Sequence, residues 1–175
     1  MGANSFARRS SRRLILNALQ LSYNGSMPYK DLRRGRHSVP NHAYHVTTVT
    51  AARLQYFAEF ALARIVVGEM RRIHDSGDVK SLAWVLMPDH LHWLFYLGNN
   101  GGLSTVMKRL KAHSAHAVNR RTGHSGPIWE IGFHDHAVRA EEDLQAVARY
   151  IVANPLRAKL VTRLADYPHW DAAWL

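Results

Sequence analysis

Ser81-Leu82-Ala83-Trp84-Val85-Leu86-Met87-Pro88-Asp89-His90-Leu91-His92-Trp93-Leu94-Phe95-Tyr96-Leu97 decides how this chain folds. Leu82 to Met87 is unbroken apolar sequence, which suits a short central strand covered on both faces. Pro88-Asp89 turns the chain. His90 to Leu97 then reads as a second strand, close enough to the first to form a hairpin. Side chains alternate along a strand, so His90, His92, Leu94 and Tyr96 share one face, while Leu91, Trp93, Phe95 and Leu97 share the other, apolar one.

The flanking sequence supplies the rest of the frame. Upstream, Pro40-Asn41 signals a turn, and Ala43 to Thr50 is rich in Tyr, Val and Thr, as a strand requires. Tyr56, Phe60, Ala63, Val67, Met70 and His74 recur at spacings of four and three, the mark of an amphipathic helix. Asp75-Ser76-Gly77-Asp78 stops it. Downstream, Asn99 to Gly102 is a loop, and Leu103, Met107, Leu110, Ser114 and Ala117 mark a second helix that breaks at Gly123 to Pro127. Ile128 to Val138 holds a further strand. Glu141-Glu142-Asp143 favours the first turn of a third helix, which runs to about Asn154 because Pro155 disfavours helical geometry in its predecessor. The order β-α-β-β-α-β-α predicts an α+β, ferredoxin-like sandwich, an antiparallel sheet with helices packed on it.

Bulk properties narrow the partners. A chain of 175 residues that is 47% hydrophobic can bury one core. Its net charge of +10 favours a polyanion. No apolar run approaches the ~18 residues of a membrane span, so a membrane partner is not expected. The absence of cysteine removes disulfides and thiolate metal sites. Charge is uneven: Arg8, Arg9, Arg12, Arg13, Lys30, Arg33, Arg34 and Arg36 face only Asp31 in the first 36 residues. Such a segment serves as an arm for phosphates or as a solvated terminus. The expected division is a basic, partly disordered extension over 1–40, a folded domain over 41–163 and a C-terminal tail over 164–175. Ser11-Arg12-Arg13-Leu14-Ile15-Leu16 faintly resembles a twin-arginine signal, but Asn17 and Gln20 interrupt the apolar stretch and no cleavage site follows. The chain is therefore expected in the cytoplasm. Met27-Pro28-Tyr29 would make a natural start, which leaves residues 1–26 open as an over-extended reading frame.

Three constellations carry candidate chemistry. His90 and His92, about 7 Å apart along one strand face, suit a shared divalent metal, or else are two hydrogen-bonded histidines among the 12 of this chain. Tyr150 and Asn154 stack one helical turn apart. Leu144, Val147, Ala148 and Ile151 define the core stripe of that helix, and Tyr150 falls about 110° from its centre at roughly 100° per residue. Its hydroxyl can line a groove, with Asn154 as a neutral oxygen ligand. The alternative is a rim tyrosine beside a helix-capping Asn. Third, His134, Asp135, His136 and Arg139 offer metal, phosphate or structural contacts.

Taken together, two of these motifs resemble a known family. Met87-Pro88-Asp89-His90-Leu91-His92-Trp93-Leu94 resembles the HUH region of single-tyrosine transposases. Tyr150-Ile151-Val152-Ala153-Asn154-Pro155-Leu156-Arg157-Ala158-Lys159-Leu160-Val161 looks like their tyrosine helix, especially that of the REP-associated tyrosine transposases of bacteria. Trp129-Glu130, Phe133 to His136, Arg139 and Glu141 to Leu144 resemble the segment before it. The likeness runs from about Arg33 to Val161. Glu130 stands where the family often has Gln, and residues 1–26 lie outside the pattern.

The resemblance implies an HUH endonuclease fold. It also implies His90, His92 and Asn154 as ligands of Mg²⁺ or Mn²⁺ and Tyr150 as a nucleophile that nicks and rejoins single-stranded DNA through a 5′-phosphotyrosine. The implied substrate is REP-like hairpin DNA, handled by a monomer at the bacterial nucleoid. Arg33, Arg34, Arg36, Lys108, Arg109, Lys111 and Arg139 are candidate DNA contacts. A hairpin-binding protein without catalysis, and a metal-dependent hydrolase, are the rival readings. A covalent protein–DNA adduct separates them.

Overall fold

The computed structural model describes residues 38–139 and 143–174. The elements run β1 (Ala43–Val49), α1 (Phe60–Asp75), β2 (Val79–Met87), β3 (His90–Leu97), α2 (Leu103–Thr122), β4 (His134–Ala137), α3 (Leu144–Val152), the short α4 (Asn154–Arg157) and β5 (Trp170–Ala172). The strands form one sheet in the order β4-β1-β3-β2-β5, antiparallel at every pairing. The first four strands have the expected ferredoxin-like arrangement, with β5 added at the β2 edge. No helix among the described residues is long and apolar enough to cross a membrane.

The two faces of β3 go to different neighbours, as the alternation requires. Leu91, Trp93, Phe95 and Leu97 join Tyr44, Val46 and Leu86 in the larger core, together with Leu62, Val66 and Ile73 of α1 and Leu103, Met107 and Leu110 of α2. On the opposite face Leu94, Val85 and Met87 meet Val147, Ala148, Ile151 and Val152 of α3. Helices therefore cover both faces, which is why every β3 residue except Tyr96 is buried. Both buried indole N–H groups of the larger core are paired: Trp93 Nε1–H donates to Ser81 Oγ at 2.9 Å, and Trp129 Nε1–H to Ser114 Oγ at 3.0 Å.

The Pro88-Asp89 turn that presents His90 is held from outside the hairpin. Thr50 N–H donates to the Asp89 carbonyl at 2.8 Å and Phe57 N–H to the Pro88 carbonyl at 3.0 Å. Thr50 is itself fully buried and bridges to Trp129.

Four elements differ from the sequence expectation. The first helix begins at Phe60, because Tyr56–Ala58 forms a separate 3-10 turn. Within 128–138 only His134–Ala137 pairs as a strand. The carbonyls of Glu130, Ile131 and Gly132 turn away from the sheet and accept hydrogen bonds from Lys111 Nζ. The third helix starts at Leu144, and Asp143 is its N-cap, with Oδ1 accepting from Gln145 N–H at 2.9 Å. It ends at Val152, and Pro155, which has no N–H to extend a ladder, opens the separate turn α4. The last difference is at the C-terminus. The expected tail includes β5, whose Trp170–Ala172 pairs with Val85–Ala83 of β2. A three-residue strand carries too little alternation to announce itself. The basic extension, with Arg33, Arg34 and Arg36, lies outside the described residues.

Candidate active site

The site lies on the α3 face of the sheet, at the end where the small core gives way to polar side chains. Strand register explains the grouping. Thr47 stands opposite His92 and Val49 opposite His90, while His45 stands opposite His136 and Thr47 opposite His134. Directly opposed residues share a face. His90, His92, His45, His134 and His136 therefore form one band across β3, β1 and β4. The second His-x-His segment thus joins the first, which the spacing alone did not reveal.

His90 and His92 are 4% and 6% exposed, with ring centroids 4.9 Å apart and planes at 88°. Each ring is held through Nδ1. His90 Nδ1 lies 2.6 Å from Asp89 Oδ1, and Asp89 in turn pairs with Arg53 at 3.3 Å. His92 Nδ1 lies 2.9 Å from Thr47 Oγ1 and 3.2 Å from His45 Nε2, with the His45 ring stacked on it. A carboxylate behind His90 Nδ1 and a hydroxyl behind His92 Nδ1 set the orientation of the two rings.

Burial keeps two rings of the cluster, His92 and His45, uncharged. Burial pushes the His92 imidazolium well below the usual histidine range, and the charges of His45, His90, Arg157 and Arg53 push the same way. Burial, aided by the charge of His136, lowers His45 to about 3. Both rings are neutral at physiological pH, and a neutral ring is what a divalent ion needs. Burial alone would raise the Asp89 carboxyl. Its hydrogen bond to His90 and the charges of His90 and Arg53 outweigh that, so it stays ionised.

Tyr150 and Asn154 sit at the end of α3 and the start of α4, joined by a residue that the sequence left without a role. Arg157 places its guanidinium 3.9 Å over the Tyr150 ring. Nη1 donates to the Tyr150 carbonyl at 2.7 Å, and Nη2 donates to Asn154 Oδ1 at 2.7 Å. Asn154 Nδ2 donates to the Ile151 carbonyl at 2.7 Å, so the amide oxygen points away from the helix end. Arg157 is also one of the charges acting on His92, which ties the tyrosine turn to the histidine band. Tyr150 itself is half-buried beside the core residues Val147, Ala148 and Ile151. Among the described residues no group of three or more His, Asp and Glu is placed to hold a metal ion by itself.

A second tyrosine adjoins the site. Tyr167 O–H donates to the Leu86 carbonyl at 2.7 Å. Burial and the nearby Asp89 charge push its phenol up to about 12.

The other candidate contacts scatter. Lys111 is committed to three carbonyls, and burial lowers its ammonium to about 8. Arg109 pairs with Asp78. Lys108 and Arg139 are exposed. His134 and His136 are half-buried in the histidine band.

Comparison with known proteins follows the same outline. A solved structure of a REP-associated tyrosine transposase bound to a REP hairpin superposes with a TM-score of 0.65, at 21% identity over 77% of this chain and 79% of that one. A structure assigned as a transposase from Deinococcus radiodurans R1 gives 0.50, at 23% identity over 68% of this chain and 95% of the other. These likenesses show the fold. In sequence, the REP-associated tyrosine transposase of Escherichia coli K12 is 29% identical over 96 residues, 52% of this chain and 55% of the relative. The chain spans about half the length of that curated relative. The family model described as "Transposase IS200 like" matches residues 38–154, which include the strands β1 to β4, both histidines, Tyr150 and Asn154, so this chain belongs to the IS200-like transposase family.

Proposed function

We propose that this chain is a transposase that nicks and rejoins single-stranded DNA through Tyr150, on hairpins of the REP kind. The observation that carries the reading is a pair of Nδ1-anchored histidines with Arg157 acting on His92 and joining the tyrosine–asparagine turn. Tyr150 Oη attacks a backbone phosphorus. A P–O bond forms to the tyrosine, and the bond from phosphorus to the 3′-oxygen breaks. The phenol proton leaves to solvent, and the departing oxygen gains one to become a 3′-hydroxyl. The phosphodiester is conserved as a 5′-phosphotyrosine, so a 3′-hydroxyl can reverse the step without ATP.

The residues present fit a divalent ion: two imidazoles offering Nε2, with Asn154 as a neutral oxygen donor. Mg²⁺ or Mn²⁺ held there would polarise the scissile phosphate and stabilise the departing oxygen. The chain's own contribution is to hold both rings oriented, to keep His92 neutral, and to place the tyrosine on a helix turn. Lys108, Arg139 and the basic segment with Arg33, Arg34 and Arg36 are proposed phosphate contacts. A monomer working at the bacterial nucleoid is part of the same reading.

The test uses single-stranded hairpin DNA labelled at either end, with Mn²⁺ or Mg²⁺, resolved on a denaturing protein gel. Label from the 3′ portion should stay on the protein and vanish in Tyr150→Phe, which should still bind the hairpin. Cleavage without an adduct would instead indicate attack by water. Binding with neither product would favour a hairpin-binding protein.

A further inference from the structure

Arg157 touches both Tyr150 and Asn154, and its contacts conflict with metal loading. Its Nη2–H occupies Asn154 Oδ1 at 2.7 Å, the oxygen proposed as the third metal ligand. An amide oxygen has a second lone pair. However, an ion on that lone pair would set a divalent cation and a guanidinium across a single atom, with strong mutual repulsion in a partly buried site. The same guanidinium lies over the Tyr150 ring, 3.9 Å from its centroid, and holds the backbone of that turn through the Tyr150 carbonyl. Arg157 is the last residue of α4 and is exposed, so the fork has room to leave Asn154 without repacking the core.

We propose that Arg157 is a positioning residue that latches the tyrosine turn: it holds Asn154 and Tyr150 together while the ligand oxygen is empty, and it must release Asn154 when a divalent ion is taken up. The released fork keeps its place over the tyrosine, where a planar, double-donor cation suits an incoming phosphate. Ion uptake and substrate handling are thereby coupled through one side chain. The inference rests on the metal and nucleophile assignments proposed above.

The experiment is a Mn²⁺ titration of the metal-stripped full chain without DNA, followed by loss of the free-ion EPR signal. Arg157→Gln and Arg157→Met both remove the charge, and Met keeps the apolar stem on the ring, so at least one is expected to retain the wild-type melting temperature. A folded variant should bind Mn²⁺ roughly tenfold more tightly than wild type. That gain should disappear in an Asn154→Ala background. The same variants should form the tyrosine–DNA adduct more slowly despite holding the ion better, a combination that a merely structural arginine would not produce. Unchanged or weaker Mn²⁺ binding in a folded variant would overturn the latch. If binding depends on His90 and His92 yet ignores Arg157, the latch alone fails. If wild type takes up no Mn²⁺, or loss of both histidines leaves uptake intact, the site assignment fails with it.

Discussion

The two faces of β3 are built from alternate residues of one eight-residue strand, yet they do opposite things. On the face toward α1 and α2, Leu91, Trp93, Phe95 and Leu97 are at most 1% exposed and pack into the larger apolar core, with Trp93 hydrogen-bonded to Ser81. On the face toward α3 the apolar run is a single residue, Leu94, followed by His92 and His90, which are almost as deeply buried. Burying a polar ring is tolerated when its hydrogen bonds are met. Here Asp89, Thr47 and His45 meet them. The difference teaches where this molecule keeps its packing and where the proposed chemistry would sit: one face is packed, and the other is oriented.

Substitutions on the two faces should therefore separate stability from function. Phe95→Ala is expected to destabilise by about 3–5 kcal/mol, read from denaturant melts, with metal affinity unchanged in the protein that remains folded. His92→Ala should cost only about 1–2 kcal/mol of stability but lower Mn²⁺ affinity on the order of 100-fold. If His92→Ala proved as destabilising as Phe95→Ala, the α3 face would be a second structural core and the comparison would break. Asp89→Asn, which keeps shape but removes the charge behind His90, is expected to weaken Mn²⁺ binding roughly tenfold.

Acid sharpens the contrast further. An unfolded histidine titrates near ~6.5, whereas burial, with His136, lowers folded His45 to about 3. Above the unfolded value neither state is protonated. Below it the unfolded chain gains a proton that the fold refuses. The His45 contribution is therefore present at neutral pH and lost as pH falls from about 6.5 toward about 3. The melting temperature of the metal-free chain should drop across that window, and His45→Gln should flatten the slope. An unchanged slope would remove His45 from the argument.

The smallest effect separates two lysines three positions apart. Lys108→Ala should lower the salt dependence of hairpin binding by about 0.7–0.9 of a logarithmic unit per tenfold salt. Lys111→Ala should leave that slope alone and instead loosen the loop at 130–132, at about 1–3 kcal/mol.

The sequence made some of this plain and hid the rest for physical reasons. The alternation of β3 was legible because each residue of a central strand contributes to one periodic signal, and the third helix because its apolar stripe repeats, although it stops at Val152 and not at Asn154. The partners of His92 were hidden: Thr47 and His45 lie more than forty positions away and meet it only through the β1–β3 register. Lys111 looked like a phosphate contact because its helix face is basic, but three carbonyls from a distant loop claim it. Arg157 stood inside the recognised motif, yet its contacts depend on the kink at Ala153 that brings α4 back over Tyr150.

The central claim is that Tyr150 is the residue that joins to DNA, and two tyrosines border the site. Tyr167 is a poor candidate, since its hydroxyl is committed to the Leu86 carbonyl and its phenol is pushed up to about 12. The most direct measurement is to trap the adduct with hairpin DNA and Mn²⁺, digest both components, and locate the modified peptide by mass spectrometry. A 5′-phosphonucleotide on Tyr150 is the result expected. The same mass on Tyr167, or cleaved DNA with neither tyrosine modified, would contradict the account.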